Sequence, residues 1–206
     1  MQLKHIAFLT LSAVSTFAMA EGFDVVVVGS GGAGLSSAIT AKESGATVVV
    51  LEKMAYIGGN SNFASGGMNA AGTKQQLAAG VTQDSPELFY KDTMKGGHNL
   101  NNPALLKTLT ENAKYAEEWL VDLGAKFCFR KGRGGGQSIA RGHGPCDGSA
   151  VGPEILRVLT ERAAKDGIAI RTENQVVKIV MKNGAVAGVE VKTEDGVKTI
   201  DARAVV

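Results

Sequence analysis

Histidine is scarce in this chain. The three present, His5, His98 and His143, are scattered, and no stretch has metal-ligand spacing, so the sequence predicts no metal site. Cysteine is scarcer still, with Cys128 and Cys146 alone. Neither belongs to a C-x-x-C-H run, which excludes c-type haem attachment within the chain. An oxidising compartment would permit the two to pair, but both lie near glycine-rich loops and their spacing leaves pairing open. Excess charge is missing as well: 22 basic residues face 20 acidic ones, for a net charge of +2. That balance gives no electrostatic footprint for nucleic acid or a membrane surface. The apolar run Ile6–Phe17 is shorter than the roughly 20 residues that a membrane span needs. No repeat or low-complexity tract is visible.

Glycine, by contrast, is abundant, with 27 residues concentrated in three loop clusters. The first is Gly29-Ser30-Gly31-Gly32-Ala33-Gly34, a G-x-G-x-x-G set between the apolar run Phe23–Val28 and a helical stretch, Ala33–Glu43. A second apolar run, Thr47–Leu51, then ends on Glu52. In this strand–turn–helix–strand–acid order each residue has a physical task. Gly29 allows the tight turn, Gly31 lets backbone approach a pyrophosphate, and Gly34 lets the helix lie close on the sheet. The helix N-terminus offers free N–H groups and partial positive charge to phosphate. Glu52 is placed to accept from ribose hydroxyls. The expectation is a dinucleotide site in a doubly wound α/β sheet with right-handed crossovers.

The first 20 residues read as an export signal. Lys4 and His5 form a basic start, Ile6–Phe17 the apolar stretch, and Ala18-Met19-Ala20 a small-x-small cleavage site; the alternative is a buried N-terminal helix. On the first reading the mature chain begins at Glu21 and enters a periplasm, with residues 21–206 as one domain. After the Lys53–Thr73 loop, Ser85-Pro86 and Asn102-Pro103 each announce a helix. The first ends at Gly96-Gly97. The second runs to about Leu123, with Leu105, Leu106, Leu109, Ala113, Ala116, Leu120 and Leu123 as its expected apolar stripe. Trp119 beside that stripe reads as core packing rather than ligand stacking. Arg130–Gly152 reads as a polar loop and Pro153 as the opening of a helix that ends at Gly167. A hairpin follows, Gln175–Met181 and Ala185–Lys192 around Asn183-Gly184. The meander is expected to continue to about Lys198, before a returning parallel strand at Ala202–Val206. The chain stops on the apolar Ala204-Val205-Val206, which reads as an interruption of an incomplete domain.

The second glycine cluster carries a resemblance. Gly58-Gly59-Asn60-Ser61 and Ala64-Ser65-Gly66-Gly67-Met68-Asn69-Ala70-Ala71 follow directly on the Glu52 strand. With Asp92-Thr93-Met94-Lys95-Gly96-Gly97 and the Arg141-x-His143 loop, they resemble the flavoprotein part of the fumarate reductase and flavocytochrome c family over Gly22–Val206. The resemblance implies a Rossmann-like FAD-binding domain with an inserted antiparallel β-meander, cut before the substrate clamp. An NAD site would leave the second glycine loop unexplained. Implied cofactor-binding residues are Gly29, Gly31, Ala33, Gly34, Glu52, Lys53, Asn60, Ser61, Ser65, Gly66, Gly67 and Val176, the last through its main chain to adenine. Ser61 stands where membrane-bound relatives carry a flavin-linking histidine, which implies non-covalent FAD.

Family chemistry is hydride transfer from flavin N5 to an activated C=C, with an acid protonating the neighbouring carbon. The implied partners are an unsaturated carboxylate such as fumarate and a separate electron donor such as a c-type cytochrome. Met68 and His143 are the candidates nearest the substrate. His143 either assists a carboxylate or flavin oxygen or bonds a backbone carbonyl, and Arg141 either meets an anion or stays solvated. The family's proton donor and clamp follow the last strand, so no catalytic residue is assigned and the chain alone is expected to be inactive. Alternatives are reductases of urocanate or methacrylate, a ketosteroid dehydrogenase, an aspartate oxidase, or a non-catalytic flavin-binding remnant.

Overall fold

The computed structural model describes residues 21–206, so the proposed export signal, with Lys4 and His5, lies outside the described residues. The chain opens with β1 (Gly22–Val28), α1 (Gly32–Glu43) and β2 (Val48–Leu51). All four residues of β2 are buried, as are Val26 and Val27, the signature of parallel strands covered on both faces. Gly45, at φ 87°, turns the chain out of α1.

A 3-10 turn (Gly59–Phe63) and β3 (Met68–Asn69) then occupy part of the expected long loop. After them come α2 (Lys74–Ala78), α3 (Pro86–Gly96) and α4 (Pro103–Asp122). Ser85 Oγ caps α3 by accepting from Leu88 N, and Asn102 Oδ1 caps α4 by accepting from Ala104 N and Leu105 N. In both, proline sits in the first turn, where its missing N–H costs nothing.

The remaining elements are β4 (Phe127–Arg130), β5 (Gly142–Pro145), α5 (Val151–Lys165), β6 (Ala169–Arg171), β7 (Gln175–Lys182), β8 (Ala185–Thr193) and β9 (Gly196–Val205). Six strands form one sheet in the order β6-β2-β1-β9-β8-β7. Its first four strands are parallel and its last three antiparallel. The expected return is therefore present: Phe23 pairs with Ala202 and Val26 with Val205. A single strand does both jobs, since β9 also pairs antiparallel with β8 through Val189 and Ile200. Helices α1 and α5 bury Leu35, Ile39, Leu156 and Leu159 with Val27 and Val50 of the sheet. The second face packs strand residues alone, Val26, Val49 and Leu51 with Val189, Val191, Ile200 and Ala202. Trp119 packs against the first cluster, as core.

Three expectations need correction. Arg130–Gly152 is not wholly loop, because β5 lies within it and forms a second sheet, β3-β5-β4. The helix ascribed to Pro153 begins at Val151. The stripe of α4 is rotated: Leu105 and Leu109 are exposed, and so is Ala116. Leu106, Thr110, Ala113, Glu117 and Leu120 face inward instead, at helical spacing.

Glu117 is thus a carboxyl only 1 % exposed, with Oε1 unpartnered among the described residues. Burial pushes its pKa from 4.5 up to about 7, with Glu118 adding to the rise and Lys74 opposing it. Well below pH 4.5 the group is neutral folded or unfolded, and its burial carries no charge penalty. As pH rises towards 7 the unfolded chain ionises first, so stability falls; above 7 the loss is complete, about 3 kcal/mol at one pKa unit per ~1.4 kcal/mol. Glu117→Gln should remove that loss. Urea melts at pH 5 and pH 8 are expected to show the wild type alone losing stability at the higher pH; an equal loss in both would refute this account.

Candidate cofactor site

At the end of β1 the chain reverses at Gly29, whose φ of 102° is a left-handed value that favours glycine. Its N–H donates to Leu51 O at 2.8 Å, which fastens the turn to β2. A Cβ on Gly34 would lie 2.0 Å from Gly29 O, so only glycine lets α1 pack this closely. Gly31, extended at φ −69° and ψ 177°, is the N-cap of α1 and supplies no side-chain cap. The first-turn amides are left for another acceptor, save that Gly32 N donates to Ser61 Oγ at 3.1 Å.

Glu52, at the end of β2, is 5 % exposed. Its Oε2 accepts from Ser30 N at 2.9 Å and Ser30 Oγ at 2.7 Å, and its Oε1 from Met54 N at 2.9 Å. Ser30 Oγ in turn accepts from Gly58 N at 3.0 Å, so one carboxylate and one hydroxyl tie both glycine loops to the sheet. Burial raises the Glu52 pKa, but the bonds from Ser30, Met54 and Lys53 outweigh it and hold the group below its ordinary value. A carboxylate offers about four lone-pair sites; Oε2 accepts twice and Oε1 once with full geometry, and the Lys53 N–H also turns towards the group.

These residues border a cleft of about 680 Å³. Gly29, Gly31, Glu52, Lys53, Asn60 and Val176 line it, together with Met54, Tyr56, Asn174 and Gln175, which the sequence reading did not assign. Asn174 reaches the cleft because its N–H donates to Glu52 O at 2.9 Å, and Glu173 before it turns at φ 56°. No periodicity or motif marks that turn. Ser30 could have been found, since it is the non-glycine residue inside the fingerprint. A separate groove of about 530 Å³ between α3 and α4 contains none of the assigned residues.

A scan of family models matches residues 24–206 to the FAD binding domain. The chain belongs to that family. It is 49 % identical over 175 residues to an NADH:fumarate oxidoreductase from Klebsiella pneumoniae (strain 342), covering 85 % of this chain and 19 % of that protein. A fumarate reductase (cytochrome) from Shewanella frigidimarina is 47 % identical over 170 residues, 82 % of this chain and 29 % of its own length. Among solved structures, the open conformation of a flavocytochrome c3 fumarate reductase superposes with a TM-score of 0.85 at 39 % identity, covering 92 % of this chain and 34 % of that one. The chain therefore spans about a fifth to a third of the length of these relatives.

The residues of this FAD-binding domain fit the cofactor. A helix start whose N-cap Gly31 offers no side chain, the left-handed turn at Gly29 and a charged acid border one cleft. Other assigned residues do not line it. Ala33 and Gly34 lie in the first turn of α1, while Ser65, Gly66 and Gly67 are exposed on the approach to β3. A Cβ on Gly67 would sit 2.8 Å from His143 O. Met68 pairs with His143 across β3 and β5 and packs against the main core.

His143 lies in a strand, not a loop, and is wholly buried. Its Nε2 bonds Thr73 Oγ1 at 2.8 Å and its ring tilts against Phe129 at 5.6 Å. Burial lowers its pKa, so the neutral ring is favoured. Arg141 is neither solvated nor aimed at a ligand. It is 1 % exposed, binds Asp84 through Nε and Nη2, and donates from Nη1 to Asp92 at 2.7 Å. The Asp92 motif thereby has a structural task, because Asp92 also accepts from Ser138 N and Oγ.

Proposed function

We propose that this domain holds FAD non-covalently as the cofactor-binding part of an exported oxidoreductase. That enzyme reduces the C=C of an unsaturated carboxylate such as fumarate with electrons from a separate donor such as a c-type cytochrome. The observation that carries the reading is the cleft where the uncapped start of α1 meets the charged Glu52. Substrate class and donor are supported by the fumarate reductases among the relatives, and export by the pattern of residues 4–20. Described residues contain no helix long and apolar enough to cross a membrane.

When bound, FAD supplies the redox chemistry. The chain's own part is binding and orientation. Amides of Gly31, Ala33 and Gly34 at the start of α1 would hold the pyrophosphate, helped by the partial positive charge of the helix start. Glu52 would accept from a ribose hydroxyl, and Val176 and Asn60, which line the same cleft, would help to hold the cofactor. Ser61 offers no nucleophile comparable to imidazole, and the segment from Lys53 to Thr73 contains no histidine. Titration with FAD should quench flavin fluorescence, and acid precipitation of the loaded protein should leave all of the flavin in the supernatant. No quenching, or yellow colour retained on the precipitate, would overturn the reading.

A further inference from the structure

We propose that Cys128 and Cys146 are a redox-active pair: a dithiol reduces their disulfide in the folded chain, and its opening loosens the segment 131–141. The two are joined, with Cα atoms 4.9 Å apart, and both residues are exposed. An inert structural bridge is shielded from thiols; this one stands at the open edge of the three-stranded sheet, where β4 has no outer neighbour.

Its surroundings favour reduction. Alternate residues of a strand share a face, which puts Arg130 beside Cys128. Cys128 pairs with Gly144 across the ladder, and the Arg130 guanidinium lies over that glycine. A Cβ there would be 2.6 Å from Arg130 Nη2 and 2.9 Å from Cζ. Among the described residues Arg130 has no ion-pair partner, and its Nη2 reaches only Ser149 O at 3.4 Å. Nearby carboxylates are already engaged: Asp147 accepts from Ser149 N, and Glu154 from Lys126 N and Arg157. An unpaired cation next to a cysteine stabilises its thiolate and so makes it the better leaving group.

The step balances with a dithiol as reductant. One of its thiolates attacks Cys146 Sγ, a mixed disulfide forms, the Cys128–Cys146 bond breaks, and the electron pair leaves on Cys128 Sγ beside Arg130. The second thiolate then closes on the first sulfur and releases the Cys146 thiolate. Two electrons have passed to the pair, the dithiol leaves as a disulfide, and its two protons go to solvent or to the new thiols.

The bridge spans 18 residues of chain, and the enclosed segment is rich in glycine, with Gly132, Gly134, Gly135 and Gly136 in sequence. Once it opens, the β4–β5 ladder, from Phe127 paired with Pro145 to Arg130 paired with Gly142, closes the base of the segment without a covalent fastening. Arg141 and Ser138 hold its far end through Asp84 and Asp92. Exposed Lys131 and Arg133 then become easier trypsin sites.

The full chain can be incubated with dithiothreitol without denaturant, quenched with N-ethylmaleimide and weighed. Two maleimides per chain are expected, with faster trypsin cleavage after Lys131 and Arg133 in the reduced protein. Arg130→Gln should slow reduction by about threefold and, in a Cys146→Ser background, shift the pH profile of Cys128 alkylation upward. Arg130→Lys keeps the charge and should keep the rate. Labelling only after denaturation, an unchanged trypsin pattern, or an equal slowing in Arg130→Lys and Arg130→Gln would each overturn the proposal.

Discussion

Replacing Glu52 with arginine is expected to lower FAD affinity at least tenfold in any FAD-competent protein that contains this domain. A charge-assisted hydrogen bond is worth roughly 1.5–3 kcal/mol, and about 1.4 kcal/mol is a factor of ten in binding. The loss should exceed that minimum, because Glu52 does more than wait for a ribose. Its oxygens hold Ser30 and Met54, and Ser30 holds Gly58, so the substitution removes the clasp between both glycine loops. It also puts an unpaired cation into a site 5 % exposed. Glu52→Gln separates the two effects, since it keeps the shape and one acceptor while removing the charge. Affinity should fall there too, with a smaller loss of melting temperature. FAD retained undiminished through dialysis of Glu52→Arg would contradict the assignment. The pH dependence has the opposite sign to that of Glu117. A carboxylate held below its ordinary pKa contributes stability above its unfolded value, and that stability is lost as pH falls through the folded one.

The part of the site that could be read from sequence is the part in which each residue acts on its near neighbours. Buried valine runs, a glycine fingerprint and an acid at the next strand's end specify β1, α1, β2 and Glu52 without reference to distant chain. Asn183-Gly184 likewise makes its turn by local means, with both residues at positive φ. What stayed hidden depends on partners far away in sequence. Gly142-His143-Gly144-Pro145 has almost no strand propensity, yet it forms β5 because β3 and β4 flank it and a disulfide fastens it. Arg141 gave no sign that Asp84 and Asp92, 57 and 49 residues away, would neutralise it. On α4, leucines occur on two faces. The inward one is marked by Thr110 and Glu117, which a hydrophobic pattern passes over.

Residues 21–206 supplied with FAD, fumarate and reduced methyl viologen are expected to show no turnover above the free-flavin background. Reduction of a C=C needs a proton at the second carbon, and a positioned acid typically contributes 10²–10⁴-fold. The titratable side chains that line the cleft are Glu52, Lys53 and Tyr56. Glu52 is ionised at neutral pH, since its bonds to Ser30 and Met54 depress its pKa, and it is the residue proposed to accept from a ribose hydroxyl. Buried His143 favours its neutral form and is engaged by Thr73. Arg141, the shape of residue that could clamp a carboxylate, is fully committed to Asp84 and Asp92. The sheet also exposes Val177, Ile179, Met181 and Val197 along its antiparallel end, so the domain alone should aggregate more readily than a full-length relative. Turnover above background in a monomeric preparation would mean that a proton donor exists within these residues, and His143→Ala would be the first variant to locate it.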